Sequence, residues 1–170
     1  VVRYGNVMGS RGSVIPFFMS IAKDGVLPIT DNRMTRFMIS LEEGVELVWH
    51  AFDDMRGGEI YVKKIPSMKV TDVALAVDDK ARQEEVGIRP GEKLHEQMIG
   101  PEDALYTYEY PGHFKILPSI NGWSQDADRI GKGVKVDPAF LYSSDNNKEW
   151  MQIPELKDWM EKNHNKIGVI

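Results

Sequence analysis

Arginine lies in two short segments of this sequence where its guanidinium group could bind an anion. The first, residues 89–93, reads Arg-Pro-Gly-Glu-Lys. Proline fixes φ and glycine permits a sharp turn, so the segment presents Arg89 at the end of a predicted strand. Ligands of α/β proteins bind at strand ends, and guanidinium groups contact phosphate in a bidentate way. We interpret Arg89 as a candidate phosphate ligand. A surface β-turn is the alternative.

The second segment carries Arg33 and Arg36 on either side of Met34-Thr35. Arg36 lies in a predicted extended stretch beside apolar residues, where a cation needs a partner. A phosphate or a carboxylate would serve. The alternative is a solvent-facing pair that bridges Asp31 or a glutamate.

Two further segments carry weaker signals. Residues 142–147 read Tyr-Ser-Ser-Asp-Asn-Asn, a run that is typical of loops and that would equally suit a sugar- or base-binding loop. Gly9 and Gly12 form a G-x-x-G turn before a predicted helix, and a helix N-terminus suits an anion. The full glycine fingerprint of a dinucleotide site is absent, so a plain strand-to-helix turn is the simpler interpretation.

Composition limits the class of protein. The 170 residues are 42% hydrophobic and 28% charged, with no cysteine and four histidines far apart in sequence, so we expect no disulfide and no metal site. The net charge of −5 disfavours a nucleic-acid partner. No apolar run approaches the roughly 20 residues of a membrane span. We therefore expect a cytoplasmic protein with no membrane partner.

Capping residues predict where helices begin. Ser13 and Ser40 precede apolar-periodic segments, and Glu43 completes a capping box with Ser40. Pro154 opens a last amphipathic helix. Residues 94–98 also suit a helix.

Strands are predicted over residues 105–110 and 113–117, on either side of a Pro-Gly turn. Residues 119–136 are polar and glycine-rich, and we expect a long loop. The alternation of helices with strands predicts an α/β fold. The chain opens without Met on the strand-like residues 1–4, and we expect it to be a piece of a longer protein.

Several segments resemble a known family. Residues 2–7 (Val-Arg-Tyr-Gly-Asn-Val) and 9–18 (Gly-Ser-Arg-Gly-Ser-Val-Ile-Pro-Phe-Phe) are similar to extended short-chain dehydrogenases/reductases just after their catalytic Tyr-x-x-x-Lys helix. The polysaccharide-biosynthesis branch of that family is resembled at residues 28–30, 34–37 and 87–96. Its inverting UDP-N-acetylglucosamine 4,6-dehydratases, which start pseudaminic acid synthesis, are resembled at residues 64–69 and 142–147.

The resemblance implies a fold and a reaction. Residues 1–170 would be the C-terminal, sugar-nucleotide-binding half of such an enzyme: the last strands of the Rossmann domain plus a smaller mixed α/β substrate-binding domain. NADP would be held mainly by an N-terminal Rossmann portion that this sequence lacks. In such enzymes the cofactor takes hydride from sugar C4, water is lost across C5 and C6, and hydride returns to C6.

The resemblance places no catalytic residue in this sequence. In the family the catalytic groups precede the segment that matches residues 2–7, so we expect them upstream of Val1. We therefore expect the isolated chain to be inactive.

The resemblance also implies a binding site and partners. UDP-N-acetylglucosamine is the expected ligand, homo-oligomers are expected for the full-length enzyme, and Arg36 and Arg89 would neutralise the pyrophosphate. A UDP-sugar 4-epimerase of the same branch and a non-catalytic nucleotide-sugar-binding module are the alternatives. The positions carried over as substrate-binding are Asn6, Val14, Ile15, Pro16, Phe17, Phe18, Arg36, Arg89, Tyr142, Ser143, Ser144 and Asp145.

Overall fold

Short strands make up most of the regular structure in residues 1–169, which the computed structural model describes. The strands are β1 (Val2–Arg3), β2 (Asn6–Val7), β3 (Val26–Ile29), β4 (Thr35–Ile39), β5 (Ile60–Lys63), β6 (Ser67–Lys69), β7 (Arg82–Glu85), β8 (Gln97–Ile99), β9 (Thr107–Glu109), β10 (His113–Ile116), β11 (Val134–Lys135) and β12 (Tyr142–Ser143). The helices are α1 (Val14–Ile21), α2 (Leu41–Asp54), α3 (Val70–Val77), α4 (Pro101–Ala104), α5 (Ala127–Ile130) and α6 (Ile153–Asn163).

The strands form four small sheets. The largest has the order β1-β5-β10-β9-β11, with β1 parallel to β5 and the other pairs antiparallel. A second sheet has the order β2-β4-β6, while β3 pairs in parallel with β7 and β8 pairs antiparallel with β12. Parallel pairs joined through helices confirm the predicted α/β class.

Two hydrophobic cores meet at β4. Successive side chains of a strand point to opposite faces, so Phe37 and Ile39 enter one core while Met38 enters the other. Each fully buried side chain of this size stabilises the fold by about 1.5–3 kcal/mol. The strand therefore has a fixed position between both cores, and so does Arg36 within it.

The predicted helix starts are largely confirmed. Ser40 begins α2 with a capping box, in which the Glu43 N–H donates to Ser40 Oγ over 3.2 Å and the Ser40 N–H donates to the Glu43 carboxylate over 3.0 Å. Pro154 lies in the first turn of α6. Ser13 occupies the N-cap of α1, but its hydroxyl makes no capping bond.

Two predictions about local structure are wrong. Residues 94–98 are not helical, because their backbone bonds to other segments: Leu94 O accepts from Thr35 N over 3.2 Å, and Glu96 O accepts from Ser144 N over 2.8 Å. Residues 119–136 are not a uniform loop, since they contain a 3-10 turn at Trp123–Gln125, α5 and β11.

A buried ion pair anchors this second segment. Arg129 and Glu59 are 9% and 3% exposed, and their side chains pair directly. Arg129 Nη1 also donates to the carbonyl of Gly57 over 3.0 Å, and the guanidinium lies 4.1 Å from the ring centre of Trp123. Glu59 and Arg129 each have polar neighbours in the sequence, so the sequence alone did not predict that their side chains are buried.

We predict that Arg129→Leu lowers the free energy of unfolding by about 3–5 kcal/mol, because it leaves the Glu59 carboxylate buried without its cation. Urea unfolding measures the change. Lys162→Leu is the matched control: Lys162 pairs with Asp158 on the exposed side of α6, where the expected loss is within about 1 kcal/mol. Equal losses in both variants would contradict the anchoring role of the buried pair.

Candidate functional site

An open cleft lies between the first two strands and residues 93–98. Its volume is 520 Å³, and residues 2–6 form one wall. A neighbouring hollow of 470 Å³ shares Arg3, Lys93 and Gln97 with it and extends to Asp103. The combined depression presents polar and charged groups from segments far apart in the chain.

Close backbone approach brings the walls together. Gly5 lies where the β1–β2 segment passes β4, and a Cβ atom added to Gly5 would lie 2.4 Å from the Phe37 Cβ. Glycine is therefore required at this position, since any side chain would push the segments apart. The approach places Asn6, the next residue, beside Glu96 on the opposite wall.

Arg36 holds the segment that forms the second wall of the cleft. Its Nη1 donates to the carbonyls of Thr35 and Leu94 over 2.8 and 3.0 Å, and its Nη2 donates to Lys93 O over 2.9 Å. The carboxylates of Glu92 and Glu96 lie 3.8 and 3.7 Å from its nitrogens. The guanidinium thus has the partners that its extended, apolar context requires, and it holds residues 92–96 in place.

Glu96 is the acidic residue among those that line the cleft. Burial raises the pKa of Glu96, and the positive charge of Arg36 partly offsets this rise. When the amide nitrogen of Asn6 is turned toward Glu96, it donates hydrogen bonds of 3.1 and 3.2 Å to the two carboxylate oxygens. In that orientation Asn6 presents its carbonyl oxygen to the rest of the cleft.

A chain of hydroxyl groups lies behind this wall. Thr35 Oγ1 is 2.8 Å from His95 Nδ1 and 2.7 Å from Ser144 Oγ, and the backbone N–H of Glu96 donates to Ser144 Oγ over 2.9 Å. These bonds attach the segment that follows β12 to residues 95–96. Ser144 therefore supports the cleft wall from inside the protein.

The structure brings some of the predicted site residues together. Asn6 lines the cleft, and Arg36 bonds the carbonyl of the lining residue Lys93. Asp145 is exposed and accepts a 2.6 Å hydrogen bond from Oγ of the buried Ser143. Arg89 is exposed on its turn, and within residues 1–169 its guanidinium makes no hydrogen bond or ion pair. The prediction that these residues bind a ligand stays a prediction.

Four of the predicted site residues have side chains that are buried in the protein interior. Ile15 and Phe18 are 1% and 2% exposed and pack inside the first core, since the apolar face of α1 turns toward α3. Tyr142 is buried and its hydroxyl bonds both the N–H and the carbonyl of Ile65. Ser144 is fully buried. That these four positions bind a ligand stays a prediction.

The remaining α1 positions, Val14, Pro16 and Phe17, do not line either depression. For Arg33 the alternative interpretation is correct: its Nη2 lies 2.7 Å from the Asp31 carboxylate, and that contact lowers the pKa of Asp31 to about 2.

Val1, upstream of which we expect the catalytic groups, is not itself part of the cleft. It lines neither depression, and its side chain is exposed. Its amino group donates to the carbonyl of Glu59 over 3.0 Å, which continues the pairing of β1 with β5. Val1 is therefore a structural neighbour of the sheet and not a site residue, and the position of the catalytic groups stays a prediction.

Sequence reasoning missed several groups of the cleft. Arg3 donates to Met98 O over 2.9 Å and pairs with Asp103 at 2.6 Å. Lys93, His95 and Gln97 all border the second hollow. Their period of two is the signal of an extended segment, and it would have grouped them had residues 94–98 not been predicted as a helix.

A dinucleotide does not fit the glycine turn that precedes α1. A Cβ atom on Gly9 would lie 2.9 Å from Trp159, and Gly9 O accepts from Gly168 N over 2.8 Å. The C-terminal segment therefore fills the space that a pyrophosphate would need. That NADP is held mainly by an N-terminal portion stays a prediction.

Comparison with models of known protein families identifies the family of this chain. The family model described as polysaccharide biosynthesis protein matches residues 1–118, which include both walls of the cleft, β4 and Arg89. The chain belongs to the polysaccharide biosynthesis protein family.

The sequence similarity to curated relatives extends beyond residues 1–118. A protein of Campylobacter jejuni serotype O:23/36 (strain 81-176), named UDP-N-acetylglucosamine 4,6-dehydratase (inverting), is 52% identical over 93% of this chain and 49% of the relative. A Rickettsia prowazekii (strain Madrid E) protein named UDP-glucose 4-epimerase is 41% identical over 93% of this chain and 48% of the relative. The chain thus spans about half the length of the curated relatives it matches.

A solved structure has a fold similar to that of this chain. The X-ray structure of Pen from Bacillus thuringiensis superposes with a TM-score of 0.80 at 32% identity, over 96% of this chain and 49% of that one. The match supports the predicted portion of an extended short-chain dehydrogenase/reductase. Among residues 1–169, no helix has the length and apolar character that crossing a membrane requires.

We predict that Arg36→Met raises the pKa of Glu96 further, because the substitution removes the cation that offsets its burial. A ¹³C NMR titration of the Glu96 carboxyl carbon measures the change. Lys162→Met, whose ammonium pairs with Asp158 on α6, should leave Glu96 unchanged. An unaltered Glu96 titration in Arg36→Met would show that the two groups are not coupled.

Proposed function

We propose that this chain forms the sugar-nucleotide-binding part of an inverting UDP-N-acetylglucosamine 4,6-dehydratase. The observation that carries the proposal is the position of the motif residues: Asn6 and Lys93 come from separate segments and line one cleft, and Arg36 donates to the carbonyl of Lys93. Relatives of that name are 52% identical to the chain. Their similarity and the cleft's chemistry point to the same ligand class.

The charges of the site suit a nucleoside diphosphate. Lys93 lies at the rim and, within residues 1–169, its ammonium pairs with no carboxylate. Arg89 extends from the turn that precedes it. Each charge-assisted hydrogen bond to a phosphate oxygen contributes about 1.5–3 kcal/mol. In this proposal Lys93 at the rim and Arg89 on the preceding turn would bind the pyrophosphate, and the sugar would lie deeper, beside Asn6 and Glu96.

NADP and the catalytic groups belong, in this proposal, to the half of the protein that the relatives have and that residues 1–170 do not span. The whole enzyme would make a UDP-4-keto-6-deoxy-N-acetylhexosamine in the cytoplasm as a homo-oligomer. Pseudaminic acid and flagellin glycosylation are the use we propose for that product.

A UDP-sugar 4-epimerase is the second candidate function. It is favoured by relatives of that name, which are 41% identical over the same 93% of the chain. A related nucleotide sugar would occupy the same cleft. The lower identity makes this candidate second to the dehydratase.

We predict that Arg89→Ala weakens binding of UDP by about ten- to a hundredfold, because one charge-assisted contact with the pyrophosphate is lost. Isothermal titration calorimetry measures the affinity. Arg33→Ala is the control, since Arg33 pairs with Asp31 and not with the cleft. Unchanged UDP affinity in Arg89→Ala would remove Arg89 from the site.

The reaction itself is tested with the full-length product of the gene that encodes this chain. Incubated with UDP-N-acetylglucosamine and NADP, it should release a 4-keto-6-deoxy sugar nucleotide, detected by mass spectrometry as the loss of one water. A product of unchanged mass with the C4 configuration reversed would instead support the epimerase. Absence of both products would reject both functions.

A further inference from the structure

Two histidines meet where α2 packs against the five-stranded sheet, away from the cleft. His50 lies on α2 and His113 on β10, and their Nε2 atoms are 3.4 Å apart although 63 positions separate them in the chain. The expectation that the histidines form no metal site rested on their separation in the sequence. The fold removes that separation for this pair.

The distance between the two Nε2 atoms suits a shared metal ion. Zinc binds histidine nitrogen at about 2.0–2.1 Å in tetrahedral geometry, and two nitrogens on one such ion lie about 3.3–3.4 Å apart. The Nε2 atoms of His50 and His113 already have this separation. The same distance also permits a weak hydrogen bond between the rings, which is the simpler alternative.

Neighbouring aromatic rings hold both imidazoles in place. His113 stacks on Tyr110, with ring centres 4.7 Å apart and planes 3° from parallel. His50 meets the ring of the buried Tyr61 at 90°, with ring centres 5.8 Å apart. Tyr61 is fixed in turn, because its hydroxyl donates to Asp54 over 2.6 Å. Ligand rings that packing already orients lose little freedom when they bind a metal ion.

The charges around the pair largely cancel. Lys115 is buried beside the two rings, but its Nζ donates to the carboxylate of Asp54 over 2.8 Å, so the two charges offset each other. Lys63 lies directly across from His113 on β5, and its positive charge weakens the binding of a cation there. His50 is exposed, so an ion and its water ligands can reach the pair from solvent.

We infer that His50 and His113 bind one divalent transition-metal ion between their Nε2 atoms. Imidazole nitrogen suits zinc, copper and nickel. Within residues 1–169, no group of three or more His, Cys, Asp or Glu residues could hold a metal ion, so water supplies the other ligands of this two-histidine site. The ion ties α2 to β10 and adds to the link that Asp54 and Lys115 make between them. The inference does not depend on which nucleotide sugar binds.

Calorimetric titration with zinc chloride tests the site in the full-length product of the gene, at about pH 7.5, where unperturbed imidazole is mostly neutral. His50→Gln and His113→Gln should each bind one equivalent of zinc less than the unsubstituted protein. His50 is exposed, so His50→Gln tests the site even where His113→Gln fails to fold. His164→Gln is the matched control, because His164 is exposed just after α6 and should not affect the equivalent.

Two further measurements make the test specific to this pair. Lys63→Met should tighten zinc binding severalfold, because it removes the cation across from His113. Zinc should also raise the melting temperature of the unsubstituted protein and leave that of His50→Gln unchanged, since an ion that binds only the folded state stabilises it.

Three outcomes would overturn the inference. Equal numbers of zinc equivalents in the unsubstituted protein and in His50→Gln would leave the two rings with a hydrogen bond alone. An equal loss in His164→Gln would show that zinc binds surface histidines adventitiously. An unchanged zinc affinity in Lys63→Met would place the ion elsewhere in the protein.

Discussion

The hydrogen bonds of Arg36 determine the shape of the candidate site. A single guanidinium group, held on β4 between two cores, bonds the carbonyls of Lys93 and Leu94 and faces the carboxylates of Glu92 and Glu96. Residues 92–96 have little regular structure of their own, so these contacts decide where Lys93 and Glu96 lie. A lysine could not replace Arg36, because its one ammonium group lacks the planar set of donors that reaches several acceptors at once.

The same contacts explain why the two ends of the chain take part in one site. Asn6 comes from the first strands, residues 93–98 from the middle, and Ser144 from the segment after β12. Thr35 and Arg36 are neighbours on β4, and both contact the middle segment. The site is thus built on a strand fixed between two cores rather than on the turns around it, which is the arrangement that holds a ligand-binding group most accurately.

The sequence predicted what depends on local physics. The capping box at Ser40, the hairpin around residues 111–112 and the proline start of α6 need only neighbouring residues, and all three are present. The helix expected over residues 94–98 failed because its backbone bonds to Thr35 and Ser144, which are far away in sequence. The burial of Arg129 was not predicted either, because it depends on contacts with Glu59 and Trp123 that the local sequence does not reveal.

Family resemblance selects segments of the chain, but it does not give the orientation of each side chain. Asn6 lines the cleft, whereas Ile15, Phe18, Tyr142 and Ser144 turn inward. A motif records which residues recur together, and a residue that supports a site recurs as regularly as one that touches the ligand. Only the burial of the side chain separates the two roles.

The order of strands in the five-stranded sheet has a meaning for how the chain folds. β1, made of residues 2 and 3, pairs with residues 61 and 62, and β11 closes the sheet with residues 134 and 135. Such long-range pairings fold slowly, because the entropy of closing a long loop is lost before any contact is gained. During synthesis β1 must wait for its partner β5 until residues 61 and 62 have left the ribosome. Until then, the backbone edge of β1 that faces β5 lacks the hydrogen bonds that β5 supplies.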